Sequence, residues 1–260
     1  MTRREQYLAA LGIDLWQARI PAPPEVRAPT LQEPVAPALQ EVRAAALEAP
    51  DALDAAAPSC DAAHGDAAIW QTLRAEVSTC TRCELCRART QTVFGVGDTR
   101  AELLVIGEAP GAEEDRMGEP FVGRAGQLLN SMLRAMGTSR ERVYIANMIK
   151  CRPPGNRDPK PDEIASCLPY LQRQVELLRP RLILAVGRIA AQNLLATDTP
   201  IGRLRGRLHR FGPGQLPMIV TYHPAYLLRS PIEKRKAWSD LKFARAELAR
   251  LRPHQSAAAH

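Results

Sequence analysis

Four short apolar runs, each followed by a helical stretch, restrict this chain to very few architectures. The first, Leu103-Leu104-Val105-Ile106, leads into Gly107-Glu108-Ala109-Pro110-Gly111; the others are Val143 to Asn147, Leu182 to Val186 and Met218 to Tyr222. A run this short with no polar face reads as a strand buried on both sides. Strands alternating with helices predict an α/β fold, a parallel sheet between two helical layers. In such open sheets ligands bind just outside the carboxyl ends of the strands, which puts Glu108 at the mouth of a site.

The helices expected around these strands start with Ile69 to Leu73, running into Cys80. A polar loop, Ala112 to Gly123, precedes a helix from Ala125 to Met136 whose apolar face is Leu128, Leu129, Met132 and Leu133. A long helix opens at Pro161-Asp162 and ends before Pro180, and Gly187 opens another from Arg188 to Ala196. Gly202 to Phe211 reads as a hairpin or irregular loop with four arginines, and a last helix spans Pro231 to Leu251.

Outside this body, residues 1–19 place Tyr7, Leu8, Leu11, Leu15 and Trp16 at helical spacing. A helix so short is marginal alone, so it needs a docking partner, either the chain's own body or another protein. Residues 20–67 are rich in Pro and Ala with no aromatic residue before Trp70, which predicts a mostly disordered linker. The functional domain is then expected at 68–252, with a disordered tail at 253–260.

Charge divides along the same boundary. Residues 1–65 carry five Arg against nine acids, and the remainder carries 30 Lys and Arg against 19 acids. A net +11 on the second part suits a polyanionic partner such as nucleic acid. No apolar run approaches the ~18 residues of a membrane span, and the N-terminus lacks a secretory pattern, so a cytoplasmic location is expected.

Six cysteines in such a chain point to metal or catalysis before disulfides. Cys80 and Cys83 form a CxxC, while Cys151 and Cys167 make a second, widely spaced pair. Four thiolates predict either zinc or a [4Fe-4S] cluster, and spacing alone leaves both open. Cys86 extends the first pair to CxxCxxC and could replace one of the others.

Taken together, Gly107-Glu108-Ala109-Pro110-Gly111, the Phe121 loop, Asn147 ahead of Lys150-Cys151-Arg152-Pro153, and His223-Pro224-Ala225-Tyr226-Leu227-Leu228-Arg229 resemble the family 4 uracil-DNA glycosylases, the iron-sulfur branch of that superfamily. The resemblance runs from about Cys80 to Leu251. It implies a three-layer α/β/α fold around a mainly parallel four-stranded sheet, with a [4Fe-4S] cluster on Cys80, Cys83, Cys151 and Cys167. Cys60 and Cys86 are then bystanders. It also implies a monomer that flips uracil out of DNA and hydrolyses its N-glycosidic bond.

The residues suit that chemistry. Glycosidic cleavage places negative charge on uracil O2, so a donor there stabilises the transition state more than the ground state. The resemblance assigns that donor to His223. Asn147 offers one acceptor and one donor, matching uracil N3–H and O4, which cytosine reverses. Phe121 would stack on the flipped base, within a pocket wall of Gly107, Glu108 and Ala109. Glu108 would hold the attacking water or stabilise the sugar cation. In the related family 1 enzymes the matching turn is Gln-Asp-Pro-Tyr; its water-activating Asp falls here on Ala109 and its Tyr on Gly111. Catalysis should therefore lean more on His223 and on binding. Glu114 is expected near uracil C5, where it would exclude thymine.

Toward DNA, Tyr226, Leu227 and Leu228 would fill the gap left by the flipped base, with Arg229 on a phosphate. Arg203, Arg205, Arg207 and Arg210 would add phosphate contacts. Two rivals stand beside this reading. One is a uracil-DNA binding protein that traps the sugar covalently, and the other is a zinc-stabilised nucleic-acid module without catalysis.

Overall fold

The computed structural model describes residues 60–252. The expectations for the helix at 1–19, for the linker as far as residue 59 and for the tail at 253–260 lie outside the described residues. Helix α1 (Cys60–Ser78) starts ahead of the boundary expected at residue 68, so residues 60–67 are helical rather than linker.

The four apolar runs are strands. They are β2 (Leu103–Gly107), β3 (Tyr144–Asn147), β4 (Leu182–Val186) and β6 (Leu216–Thr221). Neighbouring pairs are parallel, β3 on β2, β2 on β4 and β4 on β6. Two further strands make the sheet six-stranded rather than four-stranded. β1 (Val96–Gly97) is antiparallel to β3, and β5 (Leu208–Phe211) is antiparallel to β6, completing the order β1-β3-β2-β4-β6-β5. Both additions lie at the sheet edges, where half-exposed residues carry no apolar run to mark them.

Alternation along each strand fills two cores. Leu104, Ile106, Tyr144, Ala146, Ile183, Ala185, Met218 and Val220 face one layer, where Trp70, Leu73 and Val77 of α1 meet Tyr170 and Leu171 of α4 (Pro161–Leu178). Leu103, Val105, Ile145, Leu182, Leu184, Val186 and Ile219 face the other. There they meet Leu129, Met132 and Leu133 of α3 (Arg124–Ala135) and Leu241 and Ala244 of α8 (Lys234–Arg250).

The remaining helices are short: α2 (Ala112–Met117), α5 (Arg188–Leu194), α6 (Ile201–Leu204) and α7 (Pro224–Arg229). α2 falls within the stretch expected as a polar loop. Its first turn carries Glu113, Glu114 and Asp115, charges that favour a helix N-terminus. No helix of the described residues is long and apolar enough to cross a membrane.

From β2 the chain crosses first to β3 on one side and later to β4 on the other. The carboxyl ends of β2 and β4 therefore flank a topological switch point, the place where an open α/β sheet leaves a crevice.

Candidate active site and thiol cavity

Three strand ends deliver the expected side chains to one cavity. Glu108 follows β2, Asn147 closes β3 and His223 follows β6. With Ala109, Pro110, Gly111, Glu114, Phe121 and Arg229, they line a space of about 410 Å³. A second space of about 470 Å³ shares Glu108, Asp158, His223 and Arg229 and continues over Gly187, Arg188, Tyr222 and Tyr226.

Phe121 is held in an unusual backbone state. Its φ is +56°, a left-handed conformation that costs a bulky residue of order 1–3 kcal/mol. Surrounding contacts enforce it. Arg140 donates to the carbonyls of Pro120 and Phe121, and Glu114 Oε1 accepts from the N–H groups of Val122 (3.0 Å) and Gly123 (3.2 Å). Glu114 Oε2 accepts from Gly111 N–H at 3.1 Å, so one carboxylate ties the turn after β2 to the Phe121 loop. Gly107 makes room for the result. A Cβ there would lie 2.5 Å from Asn147 Oδ1 and 2.6 Å from Phe121 Cζ.

Asn147 is 2 % exposed, and its Oδ1 has no hydrogen-bond partner. An orphaned amide oxygen inside a protein is destabilising unless something binds it. His223 is better satisfied. Its Nδ1 accepts from Ala225 N–H at 3.1 Å as the cap of α7, which leaves the proton of the neutral ring on Nε2. Burial first, and then the Arg229 charge, push its pKa down to about 4, so the ring is a neutral donor near pH 7. Gly187 lets it seat closely, since a Cβ there would fall 3.1 Å from His223 Cβ. Glu108 is shifted oppositely. Burial, with the Asp158 carboxylate adding to it, raises its pKa to about 7, and Arg188 opposes. Arg188 is paired to Asp158 at 2.8 Å.

Other expectations are corrected. Leu227 is 1 % exposed within the core under α7, so it packs the fold rather than facing DNA. Tyr226 and Leu228 are exposed beside it. Arg205 is bonded to buried Asp240 at 2.8 Å and stacks 4.6 Å over Tyr222, so it braces α8 rather than awaiting a phosphate. Arg210 donates to the Gln215 carbonyl, while Arg203 and Arg207 are exposed. Asp158 and Arg188 also line the site, and no sequence motif marks either. Arg188, immediately after β4 and Gly187, stands where the strand-end rule points.

The thiols converge elsewhere. Cys80, Cys83, Cys86, Cys151 and Cys167 all line one small cavity with Arg82, Arg89, Lys150 and Tyr170. All five are free of disulfides. Arg89 donates to Cys151 Sγ and the Lys150 backbone N–H donates to Cys167 Sγ, each at 3.2 Å. Donors aimed at sulfur suit thiolates, so this donor set fits an anionic sulfur-held centre. Among the described residues no group of three or more His, Cys, Asp or Glu closes around a single metal ion.

The model of the uracil DNA glycosylase superfamily matches residues 94–242, which span every element of the base pocket. The chain belongs to that superfamily. Within it, the chain is 46 % identical over 174 residues to a type-4 uracil-DNA glycosylase of Archaeoglobus fulgidus, covering 64 % of this chain and 87 % of the relative. It is 40 % identical over 177 residues to the type-4 enzyme of Pyrobaculum aerophilum, covering 66 % and 90 %. To that of Thermotoga maritima it is 42 % identical over 163 residues, covering 62 % and 84 %. The superfamily match begins at residue 94, after Cys80, Cys83 and Cys86.

Proposed function

We propose that the chain is a uracil-DNA glycosylase that hydrolyses the N-glycosidic bond of a flipped deoxyuridine and leaves an abasic site. The observation that carries this reading is the unpartnered Oδ1 of buried Asn147, in one cavity with the Nε2–H of His223 and the Phe121 ring. An acceptor beside the amide N–H₂ matches uracil N3–H and O4 and mismatches cytosine. The flipped base lies along Phe121, and His223 Nε2–H donates to O2 as negative charge gathers there. Glu108, once ionised, faces the sugar, where it holds water or offsets the oxocarbenium charge. Glu114 is the wall beside the base, and its oxygens are already bonded to the Gly111, Val122 and Gly123 amides. Its task is therefore to shape the pocket that excludes a methyl group. Tyr226, Leu228 and Arg229 stand at the rim toward DNA, with Arg203 and Arg207 as further phosphate contacts.

Cys80, Cys83, Cys151 and Cys167 would hold a [4Fe-4S] cluster, which supplies a structural tie between the segment after α1, the segment after β3 and α4. Cys86 shares the cavity as a fifth thiol. The protein acts as a cytoplasmic monomer on uracil-containing DNA.

Incubation with a single-uracil oligonucleotide, then alkali, tests the reading. Strand scission at the uracil is expected, with none at cytosine or thymine. Intact strands would overturn it, and a protein-DNA adduct surviving denaturation would favour covalent trapping instead.

A further inference from the structure

Between the thiols and the base pocket lies a buried cation for which no role has been stated. Lys150 is 1 % exposed. Its Nζ donates to Asn147 O at 2.8 Å and to Gln174 Oε1 at 2.6 Å, both neutral acceptors. No Asp or Glu of the described residues pairs with it. An ammonium without a counter-ion is unfavourable in a dry interior, and carbonyl dipoles offset only part of the penalty. Negative charge is available on the other side of the same residue. Its backbone N–H donates to Cys167 Sγ, it lines the thiol cavity, and Cys151 is next in the chain. Thiolates holding a metal-sulfur centre place anionic charge there.

The cation is also built into the frame that carries the base-reading amide. Gln174 on α4 is pinned in turn, its Nε2 donating to Phe94 O at 3.0 Å and to Tyr144 Oη at 3.4 Å. Beyond Asn147, the amides of Met148 and Ile149 bond to the carbonyls of Gly107 and Glu108, so β3 continues alongside β2 into the site. Asn147 lines the pocket with its backbone carbonyl fastened by Lys150 and its buried side-chain oxygen left without a partner.

We propose that Lys150 is a positioning residue for base recognition. Its ammonium is the counter-ion of the thiolate centre and, through Asn147 O, the strut that fixes the amide at the end of β3. The proposal rests on the reading of Asn147 as the uracil-binding amide. It makes the cysteine centre a support for the pocket as well as for the fold.

The test uses the full-length, iron-loaded protein with Lys150→Met, Asn147→Ala and the double variant. Single-turnover excision, iron and sulfide per chain, the rate of iron loss to a chelator, and far-ultraviolet dichroism are measured. Lys150→Met is expected to slow excision by roughly 10- to 100-fold with DNA affinity within about twofold of the parent. In the Asn147→Ala background it should cost less than about twofold further, because the two residues act as one unit. Iron loss should be at least about fivefold faster, since the centre has lost its counter-ion. Parental excision by Lys150→Met, or a loss that adds in full to that of Asn147→Ala, would overturn the proposal. Absence of excision by the parent protein would instead sink the functional reading. If Lys150→Met does not accumulate as folded protein, Gln174→Leu carries the same test. It unpins the ammonium, and parental excision by that variant overturns the proposal equally.

Discussion

The ring of Phe121 stands 5.6 Å from the imidazole of His223, centroid to centroid, with 32° between their planes. One ring arrives on a strained loop and the other on the end of β6. Gly107 sits against this arrangement, because its missing side chain is what admits both the Phe121 edge and the Asn147 amide oxygen.

Gly107→Ala should therefore damage the site more than the fold. Overpacking by one methyl costs about 1–3 kcal/mol of stability where neighbours cannot retreat. Excision should fall by roughly 100-fold or more, since sub-ångström displacement of reacting groups is felt strongly. Thermal melting and single-turnover kinetics on one uracil substrate separate the two effects. A parental rate would mean that Phe121 and Asn147 can shift freely.

His223→Ala removes the donor proposed for uracil O2. The loss should be about 3–4 kcal/mol of transition-state stabilisation, or 10²- to 10³-fold in rate. Because the ring stays neutral down to about pH 4, the parent's rate should show no imidazole titration between pH 5 and 8. A histidine-like inflection near 6.5 that disappears in the variant would contradict a neutral donor.

Glu108 gives the opposite signature. With its pKa raised to about 7, the parent's excision rate should climb through neutrality as the carboxylate ionises, and Glu108→Gln should be slower and flat. Stability runs the other way. A carboxyl whose pKa is raised on folding contributes fully below its ordinary value of 4.5 and loses that contribution as pH rises toward 7. Glu108→Gln should thus melt progressively higher than the parent between pH 5 and pH 8, a stability gain coupled to lost activity.

Glu114→Ala strands the Gly111, Val122 and Gly123 amides. Partly buried donors left without acceptors cost about 1–3 kcal/mol. The variant should melt lower and release the Phe121 loop to proteolysis, while Glu113→Ala, whose carboxylate holds only exposed Arg116, should melt like the parent.

Most of this was readable from residue order. The runs at Leu103, Val143, Leu182 and Met218 are strands because they lack a polar face, and that same lack marks them as central and parallel. β1 is invisible because its two residues, Val96 and Gly97, follow Gly95 and are too few to show a pattern. α2 was hidden by its acids, which look like a solvated loop until Gly111 and Gly118 bracket them as cap residues. The strand-end residues Glu108, Asn147 and His223 were placed by the rule for open sheets and by the motifs. Leu227 was misassigned because two adjacent leucines on a short helix point in different directions, and sequence does not say which one faces inward. Arg205 was misassigned because its partner, Asp240, lies 35 positions away. Arg188 and Lys150 took their meaning from neighbours that only folding supplies.

The imidazole that caps its own helix has one further consequence. In strong acid a proton can enter that ring only at Nδ1, displacing the Ala225 amide from it. The helix so uncapped carries the exposed side chains of Tyr226, Leu228 and Arg229. Acidification would then loosen the helix while leaving the Nε2–H in place, so the cap and the donor, though on one ring, fail at different nitrogens.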